Sequence, residues 1–170
     1  MSIKTVTVRS AGRKGKGVFA LRGFRKGEIV LIYKKSKILN KHEIPKRWTG
    51  KYKYLDVVGL DKFMIMKPPE CYINCSCDPN VYVKNWKFVA MHPIKKGEEI
   101  VGDCAINNDF DHVEKCLCHS RRCRKMYPGN FFKLNKKLQK KYLPYLYPWF
   151  KKKHKTEIEK LKIASSSPQS

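Results

Sequence analysis

Three cysteines past the middle of the chain, Cys116, Cys118 and Cys123, form a C-x-C-x4-C run. Thiolates at such short spacing wrap one metal ion with little loop ordering, and soft sulfur ligands favour tetrahedral zinc. The run supplies three of the four ligands that a structural zinc takes. Cys71, Cys75, Cys77 and Cys104 are all available as the fourth. Inert thiols and an iron–sulfur centre are the competing readings, and the spacing suits the latter poorly. Disulfides are not expected. The chain has seven cysteines, an odd number, and a basic sequence without a secretory leader implies an intracellular, reducing compartment.

Charge is the second chemical signal. Lys and Arg total 38 against 14 Asp and Glu, for a formal net charge of +24 on 170 residues. Such a surface attracts polyanions, so non-specific DNA or RNA contact is expected ahead of contact with an anionic membrane. A general lysine excess without functional meaning is the alternative. Glu98, Glu99, Asp103, Asp109, Asp111 and Glu114 gather in one stretch. They either orient a cationic peptide by charge complementarity or balance charge within a loop. No run approaches the ~20 apolar residues of a membrane helix, so no membrane span is expected. The five histidines are scattered and read as surface or packing residues. Oligomeric state is not encoded in any of these features.

The elements that must position these residues are mostly short strands. Thr5 to Val8 alternates, Gly15 and Gly17 punctuate a basic turn, and Val18 to Leu21 resumes apolar character. Glu28 to Tyr33 is a β-rich run. Tyr52 to Met66 reads as strands around a Gly59–Asp61 turn, and Val81 to Ala90 as a hairpin turning near Asn85. Ile100–Val101 is a further short strand. The last third differs: residues 130–163 hold eleven lysines and two acids. Leu134, Leu138, Lys141 and Tyr142 have helical spacing, Pro144 and Pro148 should break that helix, and Thr156 to Ile163 suits a second one. Residues 164–170 are Ser-rich and expected to be disordered.

Four segments, in order, resemble the motifs of the SET-domain lysine methyltransferases. Gly15-Lys16-Gly17-Val18-Phe19-Ala20 is similar to the early G-x-G-v-f-A motif. Tyr72-Ile73-Asn74-Cys75-Ser76-Cys77-Asp78-Pro79-Asn80 resembles R/Y-x-N-H-S-C-x-P-N. Ile94 to Ile100 followed by Asp103 resembles I-x-x-G-E-E-L-x-x-D-Y, and Cys116 to Arg124 the post-SET C-x-C-x4-C-R. The resemblance covers about residues 4–127. It implies an α+β, mostly β fold of short strands and small curved sheets with a pseudoknot-like C-terminal segment, followed here by a C-terminal helical extension. The implied division is a SET domain over 1–112, a post-SET zinc segment over 113–129 and a basic helical extension over 130–163.

The resemblance also implies chemistry. A methyl group would pass from S-adenosylmethionine to the neutral ε-amine of a lysine in a protein substrate, such as a histone or another basic DNA-associated protein. Lys16, Gly17, Asn74 and the backbone of Cys75 would hold the cofactor. Cys77 would be the fourth ligand of one structural zinc. The location would be the nucleus or chromatin in a eukaryote, and cytoplasm or nucleoid in a prokaryote. Two residues depart from the pattern: Cys75 replaces a histidine, and Cys104 stands at the family's catalytic tyrosine. Gly102 also replaces an aromatic residue, so the pocket should be wide. Tyr33, Tyr72 and Tyr127 are the candidate compensating aromatics, and Phe110 a candidate cover. A catalytically weak or inactive SET module that acts as a chromatin or protein/nucleic-acid binding domain is the alternative function.

Overall fold

The computed structural model describes residues 4–46 and 49–163; the Ser-rich tail expected to be disordered lies outside them. The chain begins with a hairpin in which β1 (Val6–Ser10) pairs antiparallel with β2 (Lys16–Ala20), Val8 opposite Val18. Gly15 closes the turn at φ +80°, a conformation that side chains resist. After β3 (Ile29–Ile32), the strands β4 (Ile38–Asn40), β5 (Leu55–Gly59) and β6 (Lys62–Ile65) form a sheet of order β4-β6-β5. The two-residue β7 (Asn74–Cys75) follows, then a hairpin of β8 (Val81–Lys84) and β9 (Lys87–Ala90) that joins β3 in the order β3-β9-β8. Its two-residue loop, Asn85–Trp86, has positive φ at both positions, the geometry that matches strand twist in tight hairpins.

The return of the chain through β10 (Glu99–Gly102) builds the central crossing. On one side β10 pairs antiparallel with β2; on the other it runs parallel to β7, Val101 opposite Asn74 and Gly102 opposite Cys75. Asn80 fastens the intervening loop to β10. Its side chain donates to the Glu99 carbonyl at 2.7 Å and accepts from the Val101 amide at 2.9 Å, and its own amide donates to the Val101 carbonyl. The 72–80 loop is thereby held across the returning strand, as the expected pseudoknot-like arrangement requires. Alternate residues of these strands, among them Val18, Ala20 and Ile100, bury against Phe24, Val81 and Phe88 to form the main core.

Beyond β10 lie a hairpin of β11 (Asp109–Lys115) and β12 (Met126–Asn130), then α1 (Lys136–Tyr142), α2 (Pro148–Lys153) and α3 (Lys155–Ile163). Asn135 caps α1 through the Leu138 amide, and Pro148 opens α2, where its missing N–H costs no helix bond. Phe131, Tyr142, Phe150 and Ile158 make a second core that closes on Met91 and Ala105. The extension is therefore packed onto the body. The fold class is the α+β, mostly β architecture expected, with C-terminal helices. Among the described residues no helix is long and apolar enough to cross a membrane.

The acidic stretch resolves in favour of charge balance. Glu99 holds Lys14 and Asn74, Asp103 holds Arg124, Asp109 holds Lys153 and His154, and Asp111 holds Lys133. Glu114 accepts from Tyr127, and Glu98 from the Lys95 amide. Four of the six carboxylates are thus matched by cations, while Glu98 and Glu114 bond neutral donors.

Candidate active site and metal centre

The four cysteines Cys77, Cys116, Cys118 and Cys123 converge, with their sulfur atoms all within 4.8 Å of one another. Cys77 comes from the loop after β7, and the other three from the loop between β11 and β12. Tetrahedral zinc with bonds of about 2.3 Å places its sulfurs roughly 3.8 Å apart; the Cys77 and Cys116 sulfurs are 3.6 Å apart. The donor set and its spacing thus fit zinc. Taken alone, the thiols sit in an uneasy environment. Burial pushes Cys77 up and Cys116 up to about 12. At Cys118 burial is outweighed by hydrogen bonds, from the backbone and Ser120 among others, which bring it down to about 5. A bound cation would favour the thiolate at every one of them.

Arg124, directly after the last ligand, ties this loop to the crossing. Its guanidinium donates to both oxygens of Asp103 at 2.7 and 2.9 Å, and the Tyr142 hydroxyl of α1 donates to the same carboxylate at 3.1 Å. Burial works against the arginine's charge, but the Asp103 hydrogen bonds outweigh it and raise its pKa. Asp103 is almost wholly buried, with 1% of its side chain exposed. Arg124→Met is expected to lower stability by about 3–5 kcal/mol, because it leaves that carboxylate unpaired. The denaturant midpoint at pH 7 measures it; an unchanged midpoint would show that the pair contributes nothing.

On the face of the crossing toward β2, Lys16, Gly17 and Asn74 come together. The Asn74 side-chain amide donates to the Lys16 carbonyl at 3.0 Å and to Glu99 at 2.8 Å. A Cβ at Gly17 would stand 2.9 Å from the Ala11 Cβ and 3.2 Å from Asn74 Nδ2, so glycine suits this close approach. Cys75 and Cys104 are joined as a disulfide, with Cα atoms 5.4 Å apart. This corrects the expectation that no disulfide forms. That expectation rested on an odd count and an inferred compartment, whereas the parallel register, with Gly102 opposite Cys75, brings position 104 within bonding reach. Both residues that depart from the family pattern are thus one covalent unit.

Behind the disulfide lies a cavity of about 210 Å³, lined by Tyr33, Asp56, Glu70, Asn74, Cys104 and Tyr147, among others. The Tyr33 hydroxyl donates to Asp56 at 2.6 Å, and its ring stacks on Phe88. Burial raises the Asp56 carboxyl to about 6 against the lowering effect of Tyr33. Burial, with Asp56 nearby, also raises the Tyr33 and Tyr147 phenols. Gly102 opens onto space, with nothing within 4 Å of a Cβ built there.

The other aromatic candidates lie elsewhere. Tyr72 packs edge-on against Tyr54 with the Lys16 ammonium over its ring, Tyr127 bonds Glu114, and Phe110 stacks on Phe63. Sequence reasoning overlooked Asp56, Glu70 and Tyr147. No local pattern marks Asp56 or Glu70, and Tyr147 arrives from an extension read only as basic and helical.

The model of the SET domain family matches residues 15–105, more than half of the chain. The chain belongs to the SET-domain family. It is 27% identical over 143 residues to a variant-silencing SET domain-containing protein of Plasmodium falciparum (isolate 3D7), a match covering 71% of this chain and 6% of that protein. It is 30% identical over 81 residues to the histone-lysine N-methyltransferase, H3 lysine-9 specific KMT1, of Fusarium mangiferae, covering 35% of this chain and 24% of that one. Among solved structures, KRYPTONITE in complex with mCHG DNA and SAH superposes with a TM-score of 0.57 at 20% identity, over 71% of this chain and 28% of that chain, a likeness of fold. The SET-domain chain therefore spans only a small part of these relatives' lengths.

Proposed function

We propose that this SET-domain protein transfers a methyl group from S-adenosylmethionine to the ε-amine of a lysine in a protein substrate. The observation that carries the reading is the placement of Asn74. It bonds the Lys16 carbonyl on one face of the crossing and lines the Tyr33 cavity on the other. A cofactor on the first face and a lysine in the second would meet across it. When bound, S-adenosylmethionine supplies an electrophilic methyl on its sulfonium. Lys16, Gly17, Asn74 and the Cys75 backbone would hold it. The chain's own task is alignment: the cavity walls orient the amine and exclude water. Zinc at Cys77, Cys116, Cys118 and Cys123 would be structural, clamping residues 113–129 beside the catalytic body of 1–112, while the extension of 130–163 closes the cavity with Tyr147.

The proposed substrates are histones or other basic DNA-associated proteins, at chromatin in a eukaryotic host; the Fusarium relative's name and the net charge support this. Exposed lysines such as Lys137, Lys141 and Lys152 offer a non-specific DNA or RNA surface. Each one replaced by alanine should reduce the salt slope of DNA binding by about 0.9 if it touches a phosphate. An unchanged slope in the triple variant would place the contact elsewhere. A second reading, a SET module that binds without turning over, is favoured by the Cys104 disulfide where the family has tyrosine. Cofactor binding by calorimetry, run beside labelled methyl transfer to histones, separates the two. Transfer supports the enzyme, binding without transfer supports the module, and absence of both rejects both.

A further inference from the structure

Every neighbour of the Cys75–Cys104 bond is anchored without it. Before Cys75, the Asn74 side chain is tied to Lys16 and Glu99. After it, the Ser76 amide donates to the Gly102 carbonyl at 2.7 Å across the parallel register. Before Cys104, Asp103 is fixed by Arg124 and Tyr142. After it, Ala105 is fully buried in the second core. The cross-link is therefore redundant for the native geometry of the crossing; on the chain-entropy model it restricts the unfolded chain instead. Its placement is what sets it apart. Cys75 lies on β7 beside Asn74, whose side chain faces Lys16, while Cys104 lines the cavity with Tyr33 and Tyr147. The bond thus bridges the two sides that methyl transfer would have to connect. Both cysteines are only half-buried, and the cavity gives a small reagent a route to Cys104. Gly102 lines the same cavity and opens onto space, so a released Cys104 side chain has room to turn.

We propose that Cys75 and Cys104 form a reversible thiol–disulfide switch on the passage between the Asn74 face and the Tyr33 cavity, closed as the disulfide and open as the dithiol. The inference deepens the methyltransferase reading as a regulation of the same site, and rests on it for the consequence on turnover but not for the exchange itself. The co-reactant is a small dithiol. One of its thiolates attacks Cys104 Sγ from the cavity; the S–S bond breaks, and Cys75 leaves as a thiolate that takes up a proton. The second thiol of the reagent then displaces Cys104 from the mixed disulfide. Two electrons and two protons pass from the reagent to the pair, which ends as two thiols while the reagent ends as its own disulfide; the reverse exchange restores the bridge. Lys16, Asn74 and Glu99 keep their mutual bonds in both forms. Cofactor affinity should therefore change little, whereas alignment across the crossing should change much.

The test poises the full-length protein in buffers of reduced and oxidised dithiothreitol, with the linked Cys75–Cys104 peptide counted by mass spectrometry after alkylation. The link is expected to break and re-form reversibly while amide protection at Val18 and Ile100 persists. Methyl transfer to a lysine peptide should rise at least ~10-fold as the link is lost, with the same midpoint, while the cofactor Kd moves by less than ~3-fold. Cys75→Ser retains the backbone and all four cysteines of the metal cluster, and should turn over at one rate in every buffer. A variant that responds like the parent would assign the effect to the cluster and overturn the proposal. A link absent from the oxidised protein, a link that yields only on unfolding, or a transfer rate indifferent to the link would overturn it as well. If no buffer supports transfer, the methyltransferase reading fails, and NMR of the Tyr33 and Tyr147 rings decides the switch separately. S-adenosylmethionine should shift those rings in the dithiol form alone; equal shifts in both forms, or none in either, would reject it.

Discussion

Protein made with zinc available is expected to carry one zinc per chain, and removing it should release the β11–β12 hairpin while the main core stays folded. The reason lies in what holds each part. Residues of β11 past Phe110 are exposed, and the strand's pairing with β12 is irregular between Asp109 and Val113. A two-stranded hairpin with so little burial is marginal in water. Its loop is anchored to the body through Cys77 and through the Arg124–Asp103 pair. Structural zinc in small peptides contributes an apparent ~10–16 kcal/mol at pH 7, and here much of that would be folding energy of the loop. None of the four cysteines is among the residues of the core that includes Val18, Ile100, Phe24 and Phe88. Cys118→Ser, or treatment with a strong chelator, should therefore abolish amide-exchange protection at Cys116 and Met126, whose amides are bonded across or within the loop. Protection at Val18 and Ile100 should persist. Elemental analysis finding no zinc, or protection at Cys116 that survives chelation, would refute the metal centre.

The cysteine cluster was readable because chelation leaves a spacing in the chain: three ligands within eight positions cannot be far apart in space. The strands of the body were readable for a similar local reason, since Val18 and Ala20, or Val81 and Val83, alternate as a half-buried strand must. The hairpin of β11 and β12 was not. Its apolar residues, such as Phe110, Val113 and Met126, show no sustained alternation, Pro128 interrupts one strand, and the pairing is irregular between Asp109 and Val113. The acidic stretch left two readings open in the same region, because a carboxylate's partner, such as Lys153 for Asp109 or Lys14 for Glu99, lies far away in sequence. The Cys75–Cys104 bond is a product of the β7–β10 parallel register. No count of cysteines contains that register. Asp56, Glu70 and Tyr147 share one cavity only after three distant segments pack, so composition alone could show an excess of positive charge but not the acceptor-lined pocket inside it.

Position 104 carries the largest expected change in activity. In the methyltransferase reading, a phenol at this site would line both the cofactor face and the amine cavity, and a disulfide with Cys75 now occupies that place. Tyr33 does not supply a free substitute, since its hydroxyl is committed to Asp56 at 2.6 Å, and Tyr127 lies outside the cavity, bonded to Glu114. Misplacement of the reacting groups by about 1 Å costs on the order of 100-fold in rate. Cys104→Tyr is therefore expected to raise kcat by about that factor, with a smaller effect on cofactor affinity, because alignment acts in the transition state. The usual penalty for added bulk is reduced here by the adjoining cavity of about 210 Å³ and by the open space at Gly102. The substitution also removes a cross-link between residues 29 apart, whose loss would cost about 3–4 kcal/mol on the chain-entropy model. Cys104→Ser isolates that cost: both variants lose the bond, and only one gains a phenol. Turnover and cofactor Kd should be measured for the parent, Cys104→Ser and Cys104→Tyr on one lysine peptide, with the parent assayed before and after reduction by a phosphine. A tyrosine variant no faster than the serine variant would remove the phenol from the mechanism. A parent that turns over as fast as the tyrosine variant would mean that the cavity aligns the amine without it.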